Sequence, residues 1–334
     1  MTEPARLGLA HLPTPLEPAA RFSAEMGTAR VWLKRDDCTG LAFGGNKARK
    51  LEYLMAAAKS AGADTVITFG GVQSNHVRST AAAARKLGLD CHLLLAGSPP
   101  EDIDGNLLLD RILGATLVFL SMSLAQVTAD RVEAAYASAE ENLRSRGRVP
   151  YRIGPGGSTP LGALGYRAAF DETMGQARAQ GVAPSRLVVA FGTGGTLAGL
   201  VLGNILAGRP VKVIGISVAP PGMPESLGAP PVERLVREAA SLLGRTVEPR
   251  PDDVRILFDY AGGAYAVPTP DGIEAIRAVA RTEGVFLDPI YTGKAMAGLL
   301  GLCRSGEIDA KESTIFFHTG GTPALFPYRR ALAR

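Results

Sequence analysis

The sequence contains little cysteine. Its 334 residues include only Cys38, Cys91 and Cys303, which form no C-x-x-C pair. The four histidines do not form an H-E-x-x-H motif. These spacings do not match the usual zinc sites, so we expect no metal ligand set. A sparse, odd number of cysteines favours a reducing compartment over a disulfide framework.

Long apolar runs and blocks of like charge are also missing. No stretch approaches the roughly 18 consecutive apolar residues of a membrane span, and the first residues lack the apolar core of a signal peptide. The 36 Lys and Arg residues exceed the 32 Asp and Glu residues by four, which gives a net charge of +4, and they are scattered along the chain. We therefore expect a cytoplasmic protein with no membrane partner and no nucleic-acid partner.

Glycine, by contrast, is abundant. The chain has 40 glycines, and adjacent pairs include 44–45, 70–71, 156–157, 194–195 and 320–321. Glycine after an apolar run allows a tight turn and a close approach of the backbone to a ligand. A hydrophobic content of 46% is enough for a buried core, and the chain length favours two domains.

Short apolar runs alternate with helix-like segments. Candidate strands lie at 65–69, 92–95, 116–120, 151–153, 187–190, 211–218 and 314–317, and candidate helices at 77–87, 102–113, 127–145, 160–180, 197–207, 232–243, 271–283 and 293–304. The strands are apolar on both faces, as in parallel sheets covered by helices. The sequence therefore predicts an α/β protein with open, mostly parallel, three-layer sheets.

A glycine-rich loop with the sequence GTGGT, at 192–196, lies between a predicted strand and a predicted helix. Backbone N–H groups at such a helix start can hold a phosphate. An ordinary strand-to-helix turn is the alternative. A dinucleotide-binding loop is excluded because its sixth position is Leu197, and a Walker A loop is excluded because the loop has no lysine.

Lys47 follows the glycine pair 44–45 at the start of a predicted helix. The helix dipole disfavours a positive charge there and lowers the lysine pKa. A lowered pKa is what an amine needs to form a Schiff base. The alternative is an ordinary solvated cation, but no other lysine follows a glycine pair in this way.

Polar loops at three further places predict parts of a site. The segment 73–76 (QSNH) precedes the predicted helix 77–87. Its Ser and Asn can cap that helix, or can bind a substrate carboxylate with the free N–H groups, and one loop can do both. The segments 287–294 and 317–326 place polar side chains beside glycines and are typical of loops that line a site.

Taken together, these motifs resemble the fold-type II pyridoxal-phosphate enzymes, and within them the D-cysteine desulfhydrase / 1-aminocyclopropane-1-carboxylate (ACC) deaminase family. The shared blocks are PTPL at 13–16, KRDD at 34–37, GGNKxRKLE at 44–52, QSNHxR at 73–78, YTGK at 291–294 and HTGG at 318–321. They extend over nearly the whole chain. The resemblance implies a tryptophan synthase β-like fold, a large cofactor-binding domain of 1–48 plus 156–334, a small domain of 49–155, and a homodimer.

The resemblance also implies roles for individual residues. The catalytic residues would be Lys47, Ser74 and Tyr291, with Lys47 forming the Schiff base and moving the substrate α-proton. Cofactor contacts would come from Lys47, Asn75, Gly192, Thr193, Gly194, Gly195, Thr196 and Thr319, and substrate contacts from Ser74, Asn75, His76, Tyr265, Tyr291 and Thr292. Thr319 would face the pyridine nitrogen and leave it unprotonated, which suits elimination over transamination.

Two departures from the family pattern bear on the substrate. ACC deaminases carry Glu where this chain has Thr292, and usually Gln where it has His76. Opening a cyclopropane ring demands more of the cofactor than expelling a good leaving group from Cβ. The sequence therefore favours β-elimination from D-cysteine to pyruvate, ammonia and hydrogen sulfide. The alternatives are an L-cysteate sulfo-lyase, an ACC deaminase, and a non-catalytic protein that binds an amino acid or pyridoxal phosphate.

Overall fold

Two β-sheets and the helices around them organise the chain. The computed structural model describes residues 3–333. In chain order the strands are β1 Leu16–Pro18, β2 Arg30–Lys34, β3 Thr65–Gly71, β4 Asp90–Ala96, β5 Thr116–Phe119, β6 Pro150–Ile153, β7 Pro184–Phe191, β8 Lys212–Ser217, β9 Arg255–Leu257 and β10 Ser313–Phe317. The α-helices are α1 Ala20–Met26, α2 Lys47–Ser60, α3 Asn75–Lys86, α4 Gly105–Ile112, α5 Ala129–Arg144, α6 Pro160–Ala179, α7 Gly195–Leu206, α8 Met223–Ser226, α9 Val232–Leu242, α10 Pro270–Glu283, α11 Thr292–Arg304 and α12 Arg329–Leu332.

The smaller sheet has four parallel strands in the order β5-β4-β3-β6. Successive residues of β3 point to opposite faces, so Val66 packs with α2, α3 and α4, while Ile67 packs with α5. Both faces are therefore apolar, which is why these strands read as continuous hydrophobic runs. The predicted strands at 65–69, 92–95, 116–120 and 151–153 are confirmed as this sheet.

The larger sheet has six strands in the order β1-β2-β10-β7-β8-β9, and only β1 runs antiparallel to its neighbour. Leu187 of β7 packs with α6, α7 and α9, and Val188 packs with α1, α10 and α11 on the opposite face. The predicted α/β class with mostly parallel, three-layer sheets is confirmed. The sequence missed β1, β2 and β9, which are short and form by pairing with neighbouring strands.

The boundary predicted between residues 48 and 49 falls inside α2. This helix packs against α6 beside the larger sheet and against α3 beside the smaller one. It therefore links the two halves of the structure rather than belonging to one of them. The division into 1–48 plus 156–334 and 49–155 stays a prediction.

Residues 3–333 contain neither a candidate membrane span nor a candidate metal site. No helix there combines the length and hydropathy of a membrane crossing. In the same part of the chain, no group of three or more His, Cys, Asp or Glu side chains is arranged to hold a metal ion. The three cysteines carry free thiols, of which that of Cys38 is exposed.

Candidate active site

A cavity lies between the two sheets, where the carboxyl ends of their strands meet. The ends of β3 and β7 and the loop after β10 line it, and α/β proteins bind ligands at such strand ends. Its volume is about 1060 Å³ with the open mouth included. The lining brings together most residues that the sequence predicted: Lys47, Ser74, Asn75, His76, Gly192, Thr193, Gly194, Thr196, Tyr265, Tyr291 and Thr319.

The loop before Lys47 has a backbone that favours glycine. Gly44 and Gly45 have φ angles of +65° and +115°. A side chain at Gly44 would also lie 2.0 Å from the carbonyl oxygen of Asp37. This turn delivers Lys47 as the first residue of α2, and its Nζ lies 3.2 Å from the carbonyl oxygen of Gly156.

Burial lowers the pKa of Lys47 to about 8. The side chain keeps part of its surface open to the cavity, but enough protein surrounds the ammonium to disfavour its charge. The sequence predicted this direction from the helix dipole, whereas the structure makes burial the main cause. A lysine with this pKa has a neutral, nucleophilic fraction near neutral pH.

Lys50 is a second lysine in the cavity, and sequence analysis missed it. Its Nζ lies 3.2 Å from the same Gly156 carbonyl oxygen, and its side chain is buried. Burial, followed by the charge of Lys47, lowers the pKa of Lys50 well below its usual value. Residues three apart share one helix face, so the spacing of Lys47 and Lys50 was an available signal.

The glycine-rich loop between β7 and α7 turns at Gly194, which has a φ of +90°. The hydroxyl of Thr193 lies 2.7 Å from the hydroxyl of Ser158. The N–H of Gly195 donates to the same Ser158 oxygen at 3.0 Å. Gly195, predicted as a cofactor contact, does not line the cavity, unlike the other residues of this loop. A side chain at Gly195 would lie 3.0 Å from Lys50 Nζ, which places that ammonium beside the start of α7.

The cavity carries positive charge without a matching negative one. Lys47 and Lys50 are the amines among its described lining residues, and these include no Asp or Glu. The first turn of α7 adds the partial positive charge of a helix N-terminus. Ammonium groups beside a helix N-terminus repel one another but suit an anion. The residues present therefore fit a phosphate group.

Ser74 is the N-cap of α3 and Asn75 is its first residue, so the helix begins two residues before the predicted start at 77. The Ser74 hydroxyl accepts a hydrogen bond from the N–H of Val77 at 3.4 Å, which confirms the capping interpretation. The side-chain oxygen of Asn75 accepts from Nδ2 of Asn106 at 2.9 Å. Asn75 therefore turns its NH₂ group, a donor, away from Asn106. No motif in the sequence marks Asn106, a buried residue of α4.

His76 is buried against Thr68 of β3. Its Nε2 lies 2.8 Å from the Thr68 hydroxyl, which donates to the carbonyl oxygen of Ile153 at 2.9 Å. The hydroxyl has one proton, so Nε2 of His76 must carry its own proton and donate. Burial, followed by the charges of the two lysines, lowers the pKa of His76 well below its usual value. His76 is therefore neutral.

Tyr265 and Tyr291 form a pair on one wall of the cavity. Their hydroxyl groups are in hydrogen-bond contact, and the rings meet edge to face with centroids 6.0 Å apart. Burial raises the pKa of both phenols, and the neighbouring phenol raises that of Tyr291 further. Both are therefore neutral near pH 7. One hydroxyl donates to the other, and the acceptor keeps its own proton for a ligand.

Thr292 and Thr319 occupy different positions relative to the cavity. Thr319 follows β10 and lines it, as predicted. Thr292 is fully buried outside the lining, and its hydroxyl donates to the Asp288 carboxylate at 2.8 Å. Its N–H donates to the same carboxylate oxygen at 2.8 Å. The structure therefore does not place Thr292 among the substrate contacts predicted for it, because Asp288 holds its polar groups.

A family model for pyridoxal-phosphate dependent enzymes matches residues 7–320. The chain belongs to this family. Pyridoxal phosphate is therefore its cofactor. The resemblance that the motifs carried is confirmed.

Comparison with similar proteins shows to which group of pyridoxal-phosphate enzymes the chain belongs. An ACC deaminase of Burkholderia ambifaria (strain MC40-6) is 39% identical over 330 residues, which cover 95% of this chain and 94% of its own. The crystal structure of an ACC deaminase homologue has a TM-score of 0.87 at 42% identity, covering 98% and 95% of the two chains. The crystal structure of a T.th. threonine deaminase, with a TM-score of 0.59 at 19% identity over 92% of each chain, shares the fold. The chain is an enzyme of the ACC deaminase family.

Proposed function

We propose that this enzyme catalyses β-elimination from D-cysteine, in which D-cysteine and water give pyruvate, ammonia and hydrogen sulfide. The observation that carries the proposal is the chemistry of the cavity wall: its described residues include no carboxylate, and the Thr292 hydroxyl is held by Asp288. With a neutral group such as Thr319 beside the pyridine nitrogen, the cofactor is a weaker electron sink. Such a cofactor suffices to expel a thiol from Cβ.

The cavity residues divide between the parts of pyridoxal phosphate. Lys50, Thr193 and the N-terminus of α7 would hold the phosphate, and the NH₂ group of Asn75 would lie beside the ring. Lys47 would hold the cofactor covalently. When bound, pyridoxal phosphate withdraws electrons from the substrate Cα, which makes the α-proton acidic.

Three groups of this chain would move protons or orient the substrate. Lys47, with its pKa of about 8, would take the α-proton as a neutral amine. The Ser74 hydroxyl accepts from the α3 backbone and so can donate its own proton to the substrate carboxylate. The neutral phenol pair of Tyr265 and Tyr291 would supply a proton to the departing sulfur.

The charge distribution disfavours L-cysteate as the substrate. A sulfonate is a second anion beside the substrate carboxylate, and it needs a cation or several strong donors. Lys47 and Lys50 both lie against Gly156, in the part of the cavity where the cofactor would bind, so neither would be available to a sulfonate. The apolar part of the lining, formed by Phe69, Leu124, Val127, Met223 and Leu227, suits a thiol better than a sulfonate.

ACC deamination is the second candidate, and the names of the relatives favour it. The same apolar wall would accept a cyclopropane ring. Against it stands Thr292, a hydroxyl where ACC deaminases carry a carboxylate. Release of 2-oxobutyrate from ACC by the unmodified enzyme tests this candidate directly.

A parallel product assay tests the proposal. The purified enzyme with pyridoxal phosphate is given D-cysteine, L-cysteate or ACC, and sulfide, sulfite or 2-oxobutyrate is measured. We expect the highest kcat/KM for sulfide from D-cysteine. A higher kcat/KM for sulfite release would identify L-cysteate as the substrate instead, and a higher kcat/KM for 2-oxobutyrate release would identify ACC.

Two controls complete the assay. Lys47→Ala is expected to abolish turnover and to leave no cofactor attached to the protein after borohydride reduction. Lys212→Ala, which changes an exposed lysine, is expected to retain both turnover and the attached cofactor. Binding of all three amino acids without turnover by the unmodified enzyme would identify a non-catalytic binding protein. The homodimer and the cytoplasmic location stay predictions, and light scattering of the holoenzyme measures the former.

A further inference from the structure

Lys294 is a buried lysine for which the proposed chemistry has no use. It is the third residue of α11, and its side chain is fully buried. Its ammonium contacts the carbonyl oxygens of Val218 at 3.0 Å, Ala261 at 2.6 Å and Ala264 at 3.4 Å. All three acceptors are neutral backbone groups rather than carboxylates. The side chain thus holds its charge in a cage of carbonyl dipoles.

The three carbonyl groups belong to segments that build the cavity. Val218 directly follows β8, and its N–H donates to the carbonyl oxygen of Phe191, where the glycine-rich loop begins. Ala261 and Ala264 lie in the segment 258–269, which contains no helix or strand. Tyr265 comes immediately after Ala264 and contacts Tyr291 in the cavity.

The Lys294 ammonium and the carbonyl groups of the segment 258–269 stabilise each other. A buried charge is costly unless several hydrogen bonds satisfy it, and buried carbonyl groups are costly when left without donors. Lys294 meets both needs at once, because its three N–H groups match the three carbonyl oxygens. The carbonyl oxygens of 261 and 264 can approach one point only when the backbone before Tyr265 curls around it.

We propose that Lys294 is a positioning residue whose ammonium acts as a built-in cation, curling the segment 261–264 around itself and thereby setting Tyr265 against Tyr291. The catalytic part of this inference rests on the proposed lyase activity. The structural part does not, because a carbonyl cage recognises a cation by charge and size whatever the cavity binds. Carbonyl oxygens in such cages replace the hydration shell of K⁺.

Removal of the side chain, followed by addition of a free cation, tests the proposal. Lys294→Ala leaves the carbonyl groups and a space for an ion, whereas Lys294→Met fills the space with apolar atoms. Each variant is measured in KCl, NH₄Cl, LiCl and N-methylglucamine chloride at about 0.1 M, where ionic screening is equal. The readouts are the Tm of the cofactor-free protein and, for the holoenzyme, kcat and KM for D-cysteine.

We expect Lys294→Ala to lose about 10- to 100-fold in kcat/KM, the loss expected for hydrogen bonds to a charged group. K⁺ and NH₄⁺ should restore its Tm and most of its kcat/KM, while Li⁺ and N-methylglucamine should not. Lys294→Met should be impaired in all four salts. When Tyr265→Phe is added to Lys294→Ala, kcat/KM should fall little further without K⁺. With K⁺ present, it should fall as much as Tyr265→Phe lowers it in the unmodified enzyme.

A crystal of Lys294→Ala grown with RbCl gives a readout without activity. We expect an anomalous peak between the carbonyl oxygens of 218, 261 and 264. The proposal that the Lys294 ammonium acts as a built-in cation fails if no cation stabilises Lys294→Ala, if this variant stays unfolded in every salt, or if its crystal shows no rubidium peak. Full activity of Lys294→Met would overturn the positioning role. If the unmodified enzyme turns over no D-cysteine, the proposed function fails, yet the Tm and the rubidium peak still decide this inference.

Discussion

Lys47 Nζ and Lys50 Nζ lie at the same distance, 3.2 Å, from one carbonyl oxygen, that of Gly156. A single neutral acceptor shared by two amines cannot balance two positive charges. Burial lowers the pKa of both side chains, and the charge of Lys47 lowers that of Lys50 further. An anionic cofactor relieves this cost, because its phosphate supplies the missing negative charge.

The lysine pair should make the stability of the cofactor-free protein depend on pH. The pKa of Lys47 falls from 10.5 to about 8 on folding, so between these values the unfolded chain binds more protons. The free energy of unfolding therefore rises as the pH increases from about 8 to about 10.5. Burial lowers the pKa of Lys50 in the same direction, so Lys50 adds to this rise. Urea unfolding midpoints measured across this range test the expectation.

The matched variants for this test are Lys47→Met with Lys50→Met, and the exposed Lys212→Met as a control. The double variant should flatten the rise in part, because Lys294, whose pKa burial also lowers to about 8, contributes to it. An unchanged pH dependence in the double variant would contradict the assignment of the rise to these lysines.

Gly156→Ala should weaken cofactor binding. Gly156 has a φ of +65°, and an added side chain would lie 2.1 Å from the Thr193 hydroxyl. We expect roughly 10- to 100-fold lower affinity for pyridoxal phosphate, from a strain of about 1–3 kcal/mol at this position. Gly154→Ala is the control, because Gly154 has a φ of −61° and its nearest neighbour would lie 3.9 Å away. Equal affinities of the two variants, measured by titration of the visible absorbance, would count against the role of Thr193.

Asn106→Asp should change the cofactor environment without touching the cofactor. The exchanged side chain cannot donate to Asn75, whose oxygen loses its 2.9 Å partner and turns toward the cavity. We expect a shifted visible absorption band and about a tenfold lower kcat. Asn204→Asp, another buried residue whose Nδ2 donates to a carbonyl oxygen, should affect stability alone. If the absorption band of Asn106→Asp is not shifted, Asn106 does not control the orientation of the Asn75 side chain.

The tyrosine pair should behave as one unit in kinetics. Replacement of either Tyr265 or Tyr291 by Phe leaves the other hydroxyl without its partner. The loss in kcat/KM for the double variant should therefore be smaller than the sum of the single losses, with a coupling of about 0.5–3 kcal/mol. Tyr136→Phe, which removes a buried hydroxyl bonded to Ile153 in the smaller sheet, should leave kcat unchanged. Additive losses would show that the two phenols act independently.

Much of the fold follows from local sequence. The strands β3 to β8 and β10 lie where continuous apolar runs predicted them, because strands covered on both faces need apolar residues throughout. The strands β1 and β9 have three residues each, too few for a period to be visible. They exist because β2 and β8 offer hydrogen-bond partners, which are set by the folded chain.

The site residues divide in the same way. Lys47, Ser74, Asn75 and the glycine-rich loop could be predicted, because each depends on a helix start or a glycine turn that neighbouring residues determine. Lys50 was missed although its spacing from Lys47 marks it. Asn106, which contacts Asn75 across 31 positions of sequence, left no local signal.

By itself the sequence determined the class of fold and the cofactor, and it predicted a reactive lysine, because these depend on periodicity, glycine turns and contiguous motifs. Tertiary structure alone decided which side chains face the cavity. It brought Lys50 to Gly156, and it closed three carbonyl groups around Lys294. The physical reason is that burial and long-range hydrogen bonds arise only when distant segments pack together.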